Sequence, residues 1–106
     1  MIETIASGVH RVEDAHVNWY LVEDGRALTV VDTGLPRSWG SLERVVRQTG
    51  HVLADIEAVV LTHGHFDHVG FADRARRQLG VAVWAPADDR HVVAHPWDYD
   101  HEKPRL

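Results

Sequence analysis

The sequence contains no cysteine. This absence excludes disulfide bonds and thiolate metal ligands, so any zinc ion must be held by histidine nitrogens and carboxylate oxygens. No apolar run approaches the roughly 20 residues that cross a bilayer, and residues 1–9 lack the basic start and long apolar stretch of a secretory signal. These absences predict a cytoplasmic protein without a membrane partner.

Basic residues are outnumbered, with 11 Lys and Arg against 16 Asp and Glu and a net charge of -5. Proteins that bind the nucleic-acid backbone cluster Lys and Arg, so this balance argues against a nucleic-acid partner. Arg74, Arg76 and Arg77 form a small basic cluster, which we interpret as the solvated face of a helix.

The length of 106 residues and the hydrophobic content of 44% predict one domain with a single core. Residues 9–12 and 18–22 have the composition of short strands, and the turn signal at 23–26 predicts a hairpin with residues 27–31. We expect Trp19 and Tyr20 to be core aromatics.

After the predicted hairpin, apolar residues recur at helical spacing. A first helix is predicted from Ser38 until Gly50 stops it, with an inner stripe of Trp39, Leu42, Val45 and Val46. Residues 58–61 are apolar throughout and predict a strand covered on both faces. A second helix is predicted from about residue 68 to 79, ending at Gly80, with an inner stripe of Val69, Ala72, Ala75 and Leu79.

The end of the sequence carries weaker signals. Residues 81–84 are predicted to form a strand and residues 87–94 a short helix. The tail from about residue 96 lacks periodicity and is predicted to be irregular. The alternation of strands and helices indicates an α/β domain with a mixed α+β sheet.

Three histidines and an aspartate fall within residues 62–68, Thr-His-Gly-His-Phe-Asp-His, directly after the apolar strand. His63 and His65 alternate, so both side chains can leave one face of the strand end, while Asp67 and His68 stand where the next helix begins. Nitrogen and oxygen donors suit Zn²⁺ first, and then Fe, Co or Mn. The alternative is a set of solvated loop histidines, because the chain has nine histidines. The tight spacing around an acid favours a metal site.

This motif resembles the H-x-H-x-D-H signature of the metallo-β-lactamase superfamily, preceded by Thr62 and followed by Val69 and Gly70. Two weaker stretches, residues 18–22 and 30–35, agree with the family in the expected order. The resemblance covers most of residues 8–85. It implies that residues 1–106 are a single partial domain, the first ββαβα half of an αββα sandwich about twice this length.

The resemblance also implies chemistry. His63 and His65 would bind one zinc ion, and Asp67 and His68 a second, with Fe or Mn as alternative metals. Asp67 would orient the attacking water and take up a proton. The implied function is metal-dependent hydrolysis of a small ester, thioester, lactone or amide. Position 65 is His, whereas the diiron oxygen-reducing branch usually has Glu there.

Asp32 resembles the first acidic position of the family, which supports the metal cluster from outside its ligand set. A turn or cap aspartate is an equal alternative. The six remaining histidines have no spacing that assigns them a partner: His10, His16, His51, His91, His95 and His101. For His95 and His101, a substrate-facing loop is the alternative to a surface or packing role.

Two other functions stay open. One is a truncated, non-catalytic zinc-binding half that needs a partner chain, and the weaker one is a nuclease of the same superfamily, which the acidic charge disfavours. A half-sandwich would leave one apolar sheet face uncovered, so we expect either a homodimer or a second-half partner on that face, beside a small-molecule substrate.

Overall fold

The computed structural model describes residues 2–14, 17–34, 36–62 and 71–85. Several sequence predictions lie outside these ranges: the four motif residues, Val69, the short helix over 87–94 and the irregular tail from about residue 96. The description of the fold therefore concerns the sheet, two helices and the segments that join them.

The described residues contain one mixed sheet whose six strands are ordered as they occur along the chain. The strands are β1 (Ile2–Ala6), β2 (Val9–Asp14), β3 (Val17–Asp24), β4 (Ala27–Val31), β5 (Ile56–Val60) and β6 (Ala82–Trp84). β1 to β4 pair antiparallel, whereas β4, β5 and β6 are parallel. The predicted mixed sheet is confirmed.

The hairpin between β3 and β4 is confirmed in its predicted place. Gly25 has a φ of 61° at the first turn position, the glycine position of type II′ turns. β1, however, was missed by the sequence analysis. Ile2 is half-buried and the rest of this edge strand is exposed, so β1 has no buried stripe that periodicity could reveal.

The first helix, α1 (Trp39–Gln48), follows a 3₁₀ turn at Pro36–Ser38. All four residues of its predicted inner stripe are buried, and each is at most 5% exposed: Trp39, Leu42, Val45 and Val46. Gly50 has a φ of 82° just beyond the helix, which confirms its role as the stop.

The second helix, α2 (Ala72–Leu79), ends at Gly80 with a φ of 68°, as predicted. It begins at Ala72 instead of at about residue 68, because Phe71 forms a turn ahead of it and inserts its ring into the core at 1% exposure. Ala72 and Ala75 are buried as expected. Among the described ranges, no helix is long and apolar enough to cross a membrane.

Both helices share one hydrophobic core with one face of the sheet. The prediction that β5 is covered on both faces is wrong for the described structure, because Val59 is fully buried but Val60 is 37% exposed. Trp84, the register partner of Val60, is 64% exposed. Tyr20 is half-buried, not a core aromatic, because the fully buried Trp19 takes the core-facing position of the pleat.

Candidate functional site

The carboxyl ends of β4 and β5 lie side by side, because the two strands run parallel. Asp32 follows β4, and its backbone N–H donates to the Val60 carbonyl at 2.8 Å. Thr62 follows shortly after β5 and immediately precedes His63, the first residue of the histidine motif. This edge of the sheet is therefore where the motif starts.

The Asp32 carboxylate holds Thr62 through both its backbone and its side chain. The Thr62 backbone N–H donates to Asp32 Oδ1 at 2.9 Å. The Thr62 hydroxyl lies 3.1 Å from Oδ1 and 2.9 Å from Oδ2. Asp32 itself is only 5% exposed, and hydrogen bonds to its charged carboxylate are stronger than bonds between neutral groups. They fix the position and direction of the chain as it enters the motif.

Asp32 also has an unusual backbone. Its φ of 62° is the one positive value at a non-glycine residue within the described ranges. This left-handed conformation costs an L-residue about 1–2 kcal/mol, although aspartate tolerates it better than most. Strain of this kind is found preferentially at functional sites, where surrounding contacts hold it in place. Here the carboxylate bonds to Thr62 are such contacts.

The segment after Asp32 is packed tightly against the core. Thr33 and Ser38 are fully buried. Gly34 has a φ of 62°, and a Cβ atom at this position would meet Trp19 Cδ1 at 3.0 Å and Ser38 Oγ at 3.2 Å. A larger residue has no room there, so Asp32 is carried by a rigid support.

The chain leaves the motif region through a second anchor, Phe71. Its ring meets Trp19 edge-on, with centroids 5.4 Å apart and planes at 85°. It meets Trp39 in the same way, at 5.8 Å and 84°. The Arg74 guanidinium stacks on the Trp39 ring, with Cζ 4.4 Å from the ring centroid. Residues 63–70, called the histidine segment below, are thus bounded by Thr62 bonded to Asp32 and by Phe71 in an aromatic trio.

The predicted metal ligands His63, His65, Asp67 and His68 lie outside the described residues, so their convergence stays a prediction. Within the described ranges, no three His, Cys, Asp or Glu side chains are grouped to hold a metal ion. Asp32 is different, because its carboxylate bonds a residue 30 positions away in sequence and does not merely cap its own turn. Its predicted role of supporting a metal cluster stays a prediction.

Sequence analysis missed a second polar cluster. His10 and His51, which had no assigned partner, both contact Glu23. These contacts span 13 and 28 residues, beyond any local spacing pattern. The spacing of His51 and Asp55, which do bond each other, was the one available signal.

The fold and the motif position can be compared with known proteins. A sequence profile of the metallo-β-lactamase superfamily matches residues 12–105. The chain belongs to this superfamily. The match covers both anchors of the histidine segment, and the resemblance drawn from the motif is confirmed.

Two bacterial relatives illustrate the membership. The probable metallo-hydrolase YflN of Bacillus subtilis is 28% identical over 102 residues, covering 93% of this chain and 39% of YflN. The hydroxyacylglutathione hydrolase GloC of Haemophilus influenzae is 31% identical over 62 residues, covering 58% of this chain and 27% of GloC. The chain therefore spans well under half the length of these superfamily relatives.

A solved superfamily structure supports the architecture. BJP-1, a subclass B3 metallo-β-lactamase of Bradyrhizobium japonicum, superposes with a TM-score of 0.77 at 23% identity. The match covers 86% of this chain and 34% of BJP-1. At this identity the likeness shows the fold, and it confirms the predicted metallo-β-lactamase architecture.

Proposed function

We propose that this chain carries part of the active site of a metal-dependent hydrolase acting on a small ester, thioester, lactone or amide. The bonding of Thr62 by the buried Asp32 carboxylate carries the proposal, because it fixes the chain directly before His63. A site that must hold metal ligands in a fixed geometry needs such rigid support. An ordinary loop of solvated histidines does not.

The donor chemistry of the motif fits zinc. His63 and His65 would hold one ion through imidazole nitrogens, and Asp67 with His68 would hold a second. The chain has no cysteine to compete as a ligand, and its remaining donors are those that zinc accepts. Iron and manganese accept the same donors and are the alternatives. When bound, the metal would act as a Lewis acid toward water and the substrate oxygen.

The protein side chains would divide the other tasks. Asp67 supplies the motif's carboxylate and would orient the attacking water and accept its proton. Asp32 would act as a positioning residue, because Thr62 already occupies both of its carboxylate oxygens. This assignment predicts that changes at Asp67 abolish turnover, whereas changes at Asp32 reduce it through the geometry of the histidine segment.

The substrate class rests on relatives. GloC is a hydroxyacylglutathione hydrolase by name, and its aligned region includes 58% of this chain. An acyl-glutathione substrate is a thioester, which supports an activated acyl compound as the substrate here. The nuclease alternative is not favoured, because the net charge of -5 would repel a phosphate backbone.

A non-catalytic metal-binding half that needs a partner chain is the second candidate, favoured by apolar surface on the sheet. The aligned residues of this chain cover 39% of YflN and 34% of BJP-1. Val60 and Trp84 leave apolar surface on the sheet face opposite the helices. We propose that a second half, or a second copy of this chain, covers that face and completes the site.

The test measures metal content and turnover on the same preparations. The chain is loaded separately with zinc, iron or manganese, dialysed, and assayed on thioesters, lactones, esters and amides. We expect retained zinc and hydrolysis of at least one class. Asp67→Ala should remove the activity and weaken metal retention, because it deletes the carboxylate of the motif.

Asp24→Ala is the matched control, since Asp24 is an exposed aspartate at the end of β3. It should leave metal and turnover unchanged. Equal activity in Asp67→Ala and the unaltered chain would contradict the hydrolase assignment. Metal lost on dialysis with no turnover would favour the non-catalytic half.

A further inference from the structure

Five polar side chains meet at the sheet edge opposite Thr62, where β4 and β5 begin. This group, called the Glu23 cluster, consists of Thr4, His10, Glu23, His51 and Asp55. It joins the first three strands to the segment between α1 and β5. Asp55 immediately precedes β5, whose other end leads to the histidine segment.

The bonds of the Glu23 cluster form a chain through two imidazole rings. His10 Nε2 lies 2.6 Å from Glu23 Oε2, and His51 Nε2 lies 2.8 Å from Glu23 Oε1. The other ring nitrogens, both Nδ1, lie 2.9 Å from the Thr4 hydroxyl and 3.0 Å from Asp55 Oδ2. Both histidine side chains are only 10% exposed.

His10 is satisfied as a neutral ring. Its Nε2 must donate, because the Glu23 carboxylate can only accept. Its Nδ1 can then accept from the Thr4 hydroxyl, which has a proton to give. This bonding pattern requires no additional proton.

His51 differs because a carboxylate faces each of its ring nitrogens. Glu23 accepts at Nε2 and Asp55 accepts at Nδ1. A neutral imidazole has one N–H, so one of the two carboxylates would face a lone pair. The geometry is satisfied only when His51 carries both protons and a positive charge.

The surrounding charges support this assignment. Hydrogen bonds from His10 and then His51 lower the pKa of Glu23. Hydrogen bonds to Glu23 and then Asp55 raise the pKa of His51. The pKa of Asp55 is lowered most by the Val52 backbone N–H, which donates to its carboxylate at 3.2 Å, and next by the hydrogen bond from His51. The charge of Arg26, in the β3–β4 turn, lowers it by a smaller amount.

We propose that the Glu23 cluster is a pH-sensitive clamp, in which doubly protonated His51 fastens the 3₁₀ turn at Leu53–Asp55 to the end of β3. As the pH rises, His51 loses a ring proton and with it one of these two hydrogen bonds. The bonded groups come from every element that meets here: Thr4 from β1, His10 from β2, Glu23 from β3, and His51 with Asp55 from the connection.

The direction of the pH effect follows from the pKa shifts. The pKa of His51 is higher in the folded chain than its unfolded value of 6.5. The resulting stabilisation is fully present below pH 6.5 and is lost as the pH rises through the pKa of His51 in the folded chain. The lowered pKa of Glu23 contributes fully above its unfolded value of 4.5 and is lost as the pH falls through the folded value. The clamp is therefore complete between these two pH values and opens on the alkaline side.

Urea unfolding of the full chain at closely spaced pH values tests the clamp. Above pH 6.5 the unfolding constant should rise by up to about tenfold per pH unit until the folded pKa of His51 is passed. His51→Gln should remove that rise, because glutamine cannot take up a proton. His10→Gln is the matched control, and it should keep the rise while lowering stability at every pH.

Imidazole NMR of the unaltered chain provides a second measurement, which stands even if a variant fails to fold. At pH 6.5 both ring nitrogens of His51 should carry protons, and His51 should titrate above that pH. A singly protonated His51, or the same pH profile for His51→Gln and the unaltered chain, would overturn the proposal. So would a zinc-dependent shift of the His51 signals that His10→Gln abolishes.

Discussion

At the scale of single residues, Asp32 combines a strained backbone with a carboxylate that is bonded at both oxygens. Its φ of 62° is unfavourable, and its bonds to Thr62 hold it there. Each hydrogen bond to a charged group contributes about 1.5–3 kcal/mol, so the two Thr62 donors together exceed the roughly 1–2 kcal/mol cost of the backbone conformation. The pair therefore stabilises the site entrance as a unit.

A double-mutant cycle measures this unit. Asp32→Asn keeps a side chain that tolerates the left-handed conformation but removes the charge, and Thr62→Val removes the hydroxyl. Each change should lower the free energy of unfolding by about 1–2 kcal/mol, with a coupling energy of about 0.5–2 kcal/mol. Under the proposed function, each should also weaken zinc binding by about 10–100-fold.

Asp24→Asn supplies the baseline for the cycle, because Asp24 is an exposed aspartate and should change stability by no more than about 0.5 kcal/mol. Additive effects of Asp32→Asn and Thr62→Val would contradict the argument that these residues act together.

At the scale of elements, the loop after β4 depends on Gly34 for two separable reasons. Gly34 and Gly25 have nearly equal φ values of 62° and 61°. A Cβ at Gly34 would lie 3.0 Å from Trp19 Cδ1, whereas a Cβ at Gly25 would meet nothing within 4 Å. The two glycines thus share the conformational requirement but not the packing requirement.

Alanine substitutions separate these requirements. Gly25→Ala should cost about 1 kcal/mol for the left-handed backbone alone. Gly34→Ala should cost a further 1–3 kcal/mol or so, because the core around Trp19 must move. Chemical denaturation measures both values. Equal losses in the two variants would show that the loop has room to relax.

The elements also show what the sequence could and could not predict. α1 was predicted with its complete buried stripe, because four apolar residues at helical spacing have one way to face a sheet. The start of α2 was not predicted correctly, because Phe71 packs against Trp19 and Trp39 through tertiary contacts that periodicity does not encode. The partners of His10 and His51 were missed for the same reason. Asp32 was found by its position in the motif order, but its bond to Thr62 required the fold.

At the scale of the whole molecule, the sheet has unequal faces. One face is buried by both helices, and the other exposes Val60 and Trp84 near the carboxyl ends of β5 and β6. This apolar surface adjoins the start of the histidine segment. A partner that packs on it would therefore also lie beside the proposed site.

A charged substitution on the exposed sheet face tests whether a second copy of this chain covers it. We expect the chain to self-associate at micromolar concentration, and Val60→Glu should shift it toward monomer in light scattering. Val52→Glu is the matched control, because Val52 is 59% exposed in the connection between α1 and β5 and the variant carries the same added charge. A strictly monomeric, soluble chain, or equal effects of the two variants, would contradict a second copy of this chain on this face.

The strand order bears on how the chain folds during synthesis. Because the first four strands are neighbours both in sequence and in the sheet, they can pair in turn as they leave the ribosome. Asp32 is then already at the end of its strand when Thr62 emerges. The histidine segment would emerge after β1 to β5, next to an Asp32 that is already in place, and its metal would be captured after most of the sheet has formed. Pulse-labelled hydrogen exchange should accordingly protect β2 and β3 before β5.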